Sequence, residues 1–271
     1  MIVQICDDFD LEKIVRSGQC FRCISLGDIY RFLTGTHVLY IKQISNTEYD
    51  ISCSMDDWQN IWYPYFDLAR NYQGVRQAIS NDDFLTQAAN FGQGIRILKQ
   101  DAWEMLISFI ISQRKNIPAI QKSIETLSKT FGERIDTPYE TIHLFPLPYT
   151  LYTASDGDLH KCGLGYRVPY IRDAAEKIYC GKIDLNVLSS AEDFVMMDSL
   201  MQIKGVGPKV ANCIMLFAYA RTSKVPIDTW IKKIIAEKYD GINHFYEYGA
   251  NAGIMQQYVF YYIQNHKSEV L

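Results

Sequence analysis

The sequence predicts an α+β protein in two parts: an antiparallel sheet with helices over residues 1–90, then an all-helical region over residues 91–271. Three observations carry this. Short runs rich in aromatic and β-branched residues, broken by turn residues, fill the first part. Longer apolar-periodic runs with capping residues fill the second. A glycine-rich turn, Ile203-Lys204-Gly205-Val206-Gly207-Pro208-Lys209, lies between two of those helical runs.

The predicted strands are Gln19–Ile24, Tyr30–Leu33, His37–Ile44 and Glu48–Ser52, punctuated by Gly27-Asp28, Gly35 and Ser45-Asn46. Helices are expected near 56–66 and 70–79. From Phe91 the period changes. Asp101 with Glu104 predicts a capping box before the run Met105–Ile111. Asn116 and Pro118 open the next helix and Gly132 closes it. Further helices are expected near 168–180, 190–202, 208–220, 228–239 and 250–265. No repeat of solenoid period is visible.

Apolar residues make up 48% and charged residues 21% of the 271, an ordinary globular composition. The net charge of −4 argues mildly against a nucleic-acid partner. Charge clustered on one face matters more than the mean, and Arg114, Lys115, Arg167, Lys204, Lys209, Lys224, Lys232 and Lys233 all fall in the later two-thirds. Seven cysteines and no secretory pattern predict reduced thiols and a cytoplasmic setting. Cys20 and Cys23 are a close pair without a second pair at ligand spacing, which argues against zinc. A cysteine cluster for iron–sulfur ligation is missing. No apolar run is long enough for a bilayer, so no membrane partner is expected.

The glycine turn carries the chemistry. Gly205 and Gly207 allow unusual backbone angles and close approach. Pro208 suits a first helical turn, and the unpaired N–H groups there form an anion site. An ordinary turn between packed helices is the plainer reading of Gly-x-Gly alone. Lys209 sits at the second helical position, with Cys213 four residues on and on the same face. Most lysines are solvated surface residues; a nucleophilic one must spend time neutral. Asp228 precedes Thr229–Ile235 as a natural N-cap. Capping explains it by itself, yet a capped carboxylate can also steady a developing cation.

Gly205-Val206-Gly207-Pro208-Lys209 with Val225-Pro226-Ile227-Asp228 resembles the helix-hairpin-helix–GPD superfamily of DNA base-excision glycosylases, and further matches resemble the 8-oxoguanine DNA glycosylase family. Gly18-Gln19-Cys20-Phe21-Arg22 is similar to the family's N-terminal loop, Ser108–Asn116 to its gap-filling loop, and Gly163–Arg167 to its wedge. Gln256 and Phe260 are similar to its pocket residues. The resemblance implies a TBP-like N-terminal sheet and a monomer acting on double-stranded DNA that contains 8-oxoguanine. It implies base flipping, attack of Lys209 on C1′, a Schiff base and β-elimination, with Asp228 stabilising the sugar cation. Tyr166 and Arg167 would invade the stack, Asn116 would fill the vacated place, and Arg114, Gly205, Gly207 and Trp230 would contact DNA. Cys213 and Phe260 would sandwich the flipped base and Gln256 would read its Watson–Crick edge. The Gly18 carbonyl would accept from N7–H, which guanine lacks. No redox or metal cofactor is implied for the chemistry. Backbone carbonyls of Met201, Ile203 and Val206 are candidates for a monovalent cation against phosphate.

Three departures stand out. Familiar eukaryotic members carry an asparagine run in the gap loop and an arginine further on that reads cytosine. Here the run is Gln113-Arg114-Lys115-Asn116, and the later position is Ala119. Weaker preference for cytosine opposite the lesion is expected. Trp230 stands where a phosphate-contacting histidine is usual, and the N-terminal domain looks shorter than in those members; this residue and this shortening point to a compact bacterial-type member. The competing readings are a glycosylase for another lesion, disfavoured by Lys209 without a cysteine cluster, and a non-catalytic module that grips DNA through the hairpin.

Overall fold

A computed structural model describes residues 1–267. It divides into two compact units. One holds residues 1–33, 38–99 and 220–267; the other holds 34–37 and 100–219. The helices after residue 219 thus belong with the sheet. A change of composition near residue 90 cannot register this return of the chain.

The first unit contains a five-stranded sheet: β1 (Ile2–Gln4), β2 (Ile24–Leu26), β3 (Ile29–Thr34), β4 (His37–Gln43) and β5 (Glu48–Ile51), in the order β1-β5-β4-β3-β2. The meander β2 to β5 follows the sequence, and β1 adds antiparallel to β5 with Ile2 opposite Asp50. Along β5, Tyr49 and Ile51 are buried while Asp50 is exposed, the alternation of a sheet with one face on a core. Three of the four predicted strands form. The run from Gln19 to Ile24 is extended only at its end. Cys20, Phe21 and Cys23 are buried, so its apolar character reflects core packing and not strand pairing. Cys20 and Cys23 are disulfide-linked across this turn, with Cα atoms 5.9 Å apart, a normal separation for a bridge. The expectation of reduced thiols is corrected for this pair; Cys6, Cys53, Cys162, Cys180 and Cys213 keep their thiols.

The predicted helix over 56–66 is interrupted. Ser54 caps Met55–Asp57, a π turn covers Trp58–Trp62, and Tyr63–Tyr65 follows. The wider π turn accompanies burial of Trp58, Trp62, Tyr65 and Phe66 together. Phe66 meets Phe9 and Phe32 edge-on at 5.2 and 5.0 Å, the arrangement that ring quadrupoles favour.

A fully buried guanidinium ties this unit together. Arg96 donates to the carbonyls of Phe66, Asp8, Asp67 and Arg70 and to the Asp7 carboxylate, at 2.7–3.1 Å. It lies 4.2 Å over the Tyr72 ring. Burial works against the Asp7 charge, but N–H groups of Gln73, Tyr72 and Asp8 and the Arg96 guanidinium outweigh it and hold its pKa below the ordinary value.

The second unit is built around Ala102–Ser112, buried continuously from Glu104 to Ile111. A helix apolar on all sides belongs at a centre. Ile117–Phe131, Val168–Tyr179 and Pro208–Tyr219 pack against it. Its predicted cap is present: Asp101 accepts the Glu104 N–H at 2.8 Å. Asn116 and Gly132 bound the next helix as expected. The short helices Pro148–Thr153 and Asp156–Lys161 and the β6–β7 pair (Arg134–Asp136, Thr141–His143) lie outside the predicted elements. Six residues carry too little periodicity to be recognised.

Candidate active site

In the second unit the hairpin joins Asp193–Met201 to Pro208–Tyr219. Gly205 has φ +81°, and a Cβ there would meet the Tyr170 ring at 2.4 Å. Glycine is required twice over, for its angle and for the ring. Gly207 differs: its φ is not in the left-handed region, and a Cβ at this position would have no atom within 4 Å. The fold itself does not require glycine at 207, and the space in front of it is open. The hairpin is held from two sides. Asp173 accepts the Lys204 N–H at 2.8 Å and pairs with Lys177 at 2.8 Å, while Lys177 also donates to the Gln202 carbonyl at 2.6 Å. Gln113 donates to the Gly205 carbonyl at 3.0 Å. Burial opposes the Asp173 charge, but Lys177, the Lys204 N–H and the Lys204 charge overcome it and lower its pKa.

Past the hairpin, the first turn of Pro208–Tyr219 lacks intrahelical acceptors for its N–H groups. Lys209 is half-buried there, its Nζ 5.7 Å from the Phe109 ring centroid. Phe109 stacks on Phe217 at 5.6 Å with 16° between planes. This aromatic floor attracts the ammonium and restricts where it sits. Cys213, one turn on, is buried. Lys204 is exposed and turned toward Asp173.

The loop Gln113–Asn116 is bonded to the wedge. Lys115 donates to Ser123 Oγ and to the Gly163 carbonyl, each at 2.6 Å. Burial and the Arg167 charge push the Lys115 pKa down. Arg167 is buried, donates to the carbonyls of Gln113 and Leu164, and lies 4.4 Å over the Tyr166 ring. Tyr166 is half exposed. Asn116 spends its side-chain oxygen on the Ala119 N–H at 2.9 Å, as the helix cap. Arg114 is exposed with φ +54°. Several cations counted from sequence are therefore internally bonded.

In the first unit, Asp228 caps Thr229–Lys238 by accepting the N–H groups of Trp230 and Ile231 at 3.0 and 2.8 Å. The exposed Trp230 ring carries Lys267 Nζ at 4.5 Å. Gln256 and Phe260 lie one turn apart on Ala252–Asn265. Gln256 is buried, and its Oε1 has no hydrogen-bond partner among the described residues. A buried, unpaired amide oxygen is costly unless a ligand completes it. Gly18 is half-buried at φ +79°. The supports Asp173, Lys177, Gln113 and Tyr170 are not legible from sequence, since their partners lie up to 92 residues away. Among the described residues no three His, Cys, Asp or Glu side chains gather as a metal cluster.

Two helices joined by a glycine hairpin, with a lysine in the first turn of the second and open backbone N–H groups beside it, define the helix-hairpin-helix class. Residues 2–106 match the 8-oxoguanine DNA glycosylase N-terminal domain, and residues 107–243 match the HhH-GPD superfamily base excision DNA repair protein family. The chain belongs to the HhH-GPD superfamily of base excision DNA repair proteins. A structure of MBOgg1 in complex with a low-affinity DNA ligand is similar at 38% identity and TM-score 0.93, covering 97% of this chain and 95% of that one. The Clostridium acetobutylicum 8-oxoguanine glycosylase/lyase, bound to dsDNA containing cytosine opposite 8-oxoG, is 32% identical with TM-score 0.89, covering 98% of each chain. A probable N-glycosylase/DNA lyase of Methanothermobacter thermautotrophicus is 30% identical over 208 residues, 66% of each protein. The matched stretches span 42–66% of the first curated relatives.

Proposed function

We propose that this chain is a bifunctional DNA glycosylase/AP lyase that excises 8-oxoguanine from duplex DNA in base excision repair, as a cytoplasmic monomer. The observation that carries the reading is Lys209, held half-buried over Phe109 in the first turn after a glycine hairpin. The full-length likeness to the C. acetobutylicum enzyme supports it.

In the proposed reaction, Tyr166 and Arg167 enter the stack as the lesion leaves it, and Asn116 fills its place. Arg167 exchanges the Gln113 carbonyl for DNA acceptors at this step. Gly205 and Gly207 bring backbone N–H groups to phosphate, with Arg114 and Trp230 as further backbone contacts. Cys213 and Phe260 each offer an apolar surface to the flipped base. Gln256 pairs with its Watson–Crick edge and so satisfies the buried Oε1. The Gly18 carbonyl accepts the N7–H. The neutral Lys209 amine then attacks C1′ and the C1′–N9 bond breaks toward the base. Asp228 stabilises positive charge on the sugar while that bond breaks. Ring opening gives a Schiff base; loss of the C2′ proton expels the 3′ phosphate by β-elimination.

These steps call for no metal. The Ile203 carbonyl accepts the Val206 N–H at 3.0 Å and keeps a second lone pair; with the carbonyls of Met201 and Val206 it would hold a monovalent cation, which would supply positive charge for a DNA phosphate. Single-turnover cleavage of duplexes carrying 8-oxoguanine or guanine opposite each of the four bases tests the reading. Cleavage confined to the 8-oxoguanine duplexes, with a shallow preference for cytosine because Ala119 has no donor, is expected. Equal cleavage of guanine, or none at either base, contradicts it.

A further inference from the structure

The turn that presents the Gly18 carbonyl is pinned on both sides by buried amides. Before it, Ser17 is fully buried and its carbonyl accepts Gln257 Nε2 at 2.7 Å. After it, Gln19 is fully buried and bonded at both ends of its amide. Its Nε2 donates to Ser17 Oγ at 2.9 Å and to the Arg96 carbonyl at 2.8 Å, and its Oε1 accepts the Leu98 N–H at 2.8 Å. Ser17 Oγ in turn donates to the Ile14 carbonyl at 2.7 Å.

Gly18 needs these restraints. At φ +79° without a Cβ, little in its own chemistry sets the direction of its carbonyl. The Ser17–Gly18 peptide is held by Gln257, and the Gly18–Gln19 peptide by the anchored Gln19 side chain. The Gln257 restraint comes from far along the chain: it lies 240 residues away in sequence. It is adjacent to Gln256 on the same helix, and successive helical residues point in directions about 100° apart. One helix therefore presents an uncommitted amide oxygen at 256 and a committed amide at 257.

We infer that Gln257 is a positioning residue for lesion recognition. By fixing the Ser17 carbonyl it aims the Gly18 carbonyl, and thereby sets selectivity for a purine bearing hydrogen at N7 over guanine. This rests on the proposed role of Gly18. The sequence resemblance points to Gln256 and is silent on its neighbour. Gln257 touches no reacting atom in this scheme, so its removal affects the step that reads a base and spares the step that does not.

Full-length Gln257→Met, similar in length but without a donor, tests the inference in two single-turnover assays: a duplex with 8-oxoguanine and a duplex with a preformed abasic site. Loss of one aimed hydrogen bond is expected to slow 8-oxoguanine cleavage about tenfold or more, with abasic-site cleavage within about twofold of wild type. Equal losses in both assays, the mark of a merely structural residue, overturn the inference, as does no loss in either. If thermal melting shows Gln257→Met unfolded, Gln257→Asn, which keeps the amide but shortens its reach, carries the same comparison. A wild-type protein that leaves 8-oxoguanine intact removes the functional reading and the inference with it. A wild type that excises, matched by its variants, overturns the inference alone.

Discussion

The hairpin and the Gly18 turn both rest on a glycine at positive φ, +81° and +79°, yet they are secured by different chemistry. The hairpin is held by charge: Asp173 with Lys177, backed by the neutral Gln113. The Gly18 turn is held by neutral amides, Gln19 and Gln257, both buried. The difference follows from the proposed tasks. A segment that grips phosphate works beside charge, and the mostly buried Asp173–Lys177 pair gives it a charge-assisted anchor that solvent screens little. A segment that reads one hydrogen on a base needs direction, and buried amides supply direction without leaving a charge uncompensated.

The largest expected break in this comparison is at Gly205. Gly205→Ala forces a methyl into the Tyr170 ring and retains an unfavourable φ, so a loss of about 2–4 kcal/mol in stability is expected from strain and overpacking. Gly207→Ala, with nothing within 4 Å, is expected to change stability by less than about 0.5 kcal/mol, while weakening DNA binding where a backbone must come close. Chemical denaturation and DNA titration of both variants check this. A Gly205→Ala protein as stable as Gly207→Ala sinks the argument that Tyr170 makes glycine necessary.

A smaller effect separates the charged anchor from the neutral one. Asp173→Asn keeps the shape and removes the charge, with an expected cost of about 1–2 kcal/mol from the weakened charge-assisted bonds. The sign of the pH effect follows from the lowered pKa of Asp173. Its stabilisation is fully present above the ordinary carboxylate value of 3.8 and is lost as pH falls from there through the depressed folded value. Wild type therefore loses stability relative to Asp173→Asn below about pH 3.8. Parallel curves through that window in acid-unfolding experiments contradict the charged anchor.

Much of the local structure was legible because it is written in neighbouring residues. The caps at Asp101, Asn116 and Asp228 need only a short polar side chain at the head of an apolar run. The strands β3 to β5 are short runs of aromatic and β-branched residues set between turn residues. What was not legible depends on distant partners. Tyr170 explains Gly205, and Asp173 reaches the Lys204 N–H across 31 residues; no short-range pattern marks either. Nothing in the sequence around Arg96 marks it, and only the convergence of four carbonyls and Asp7 explains its burial. The Cys20–Cys23 bridge escapes a sequence reading because a cysteine count over the whole chain says nothing of the geometry of this turn. The motif lysine and aspartate stand out in the sequence by their places just after the glycine turn and at the head of a helix, and their proposed roles come from the family resemblance. The cap made by Asn116 and the inward fold of Arg167 depend on contacts that spacing does not contain.

Lys209 is the residue on which the proposed chemistry stands or falls. Borohydride added to a reaction with an 8-oxoguanine duplex reduces a Schiff base to a stable bond. The wild-type protein is expected to run as a covalent protein–DNA adduct, absent with an undamaged duplex, and Lys209→Gln is expected to give none. An adduct of undiminished yield from Lys209→Gln, or cleavage by wild type with no trappable species, contradicts attack by this amine.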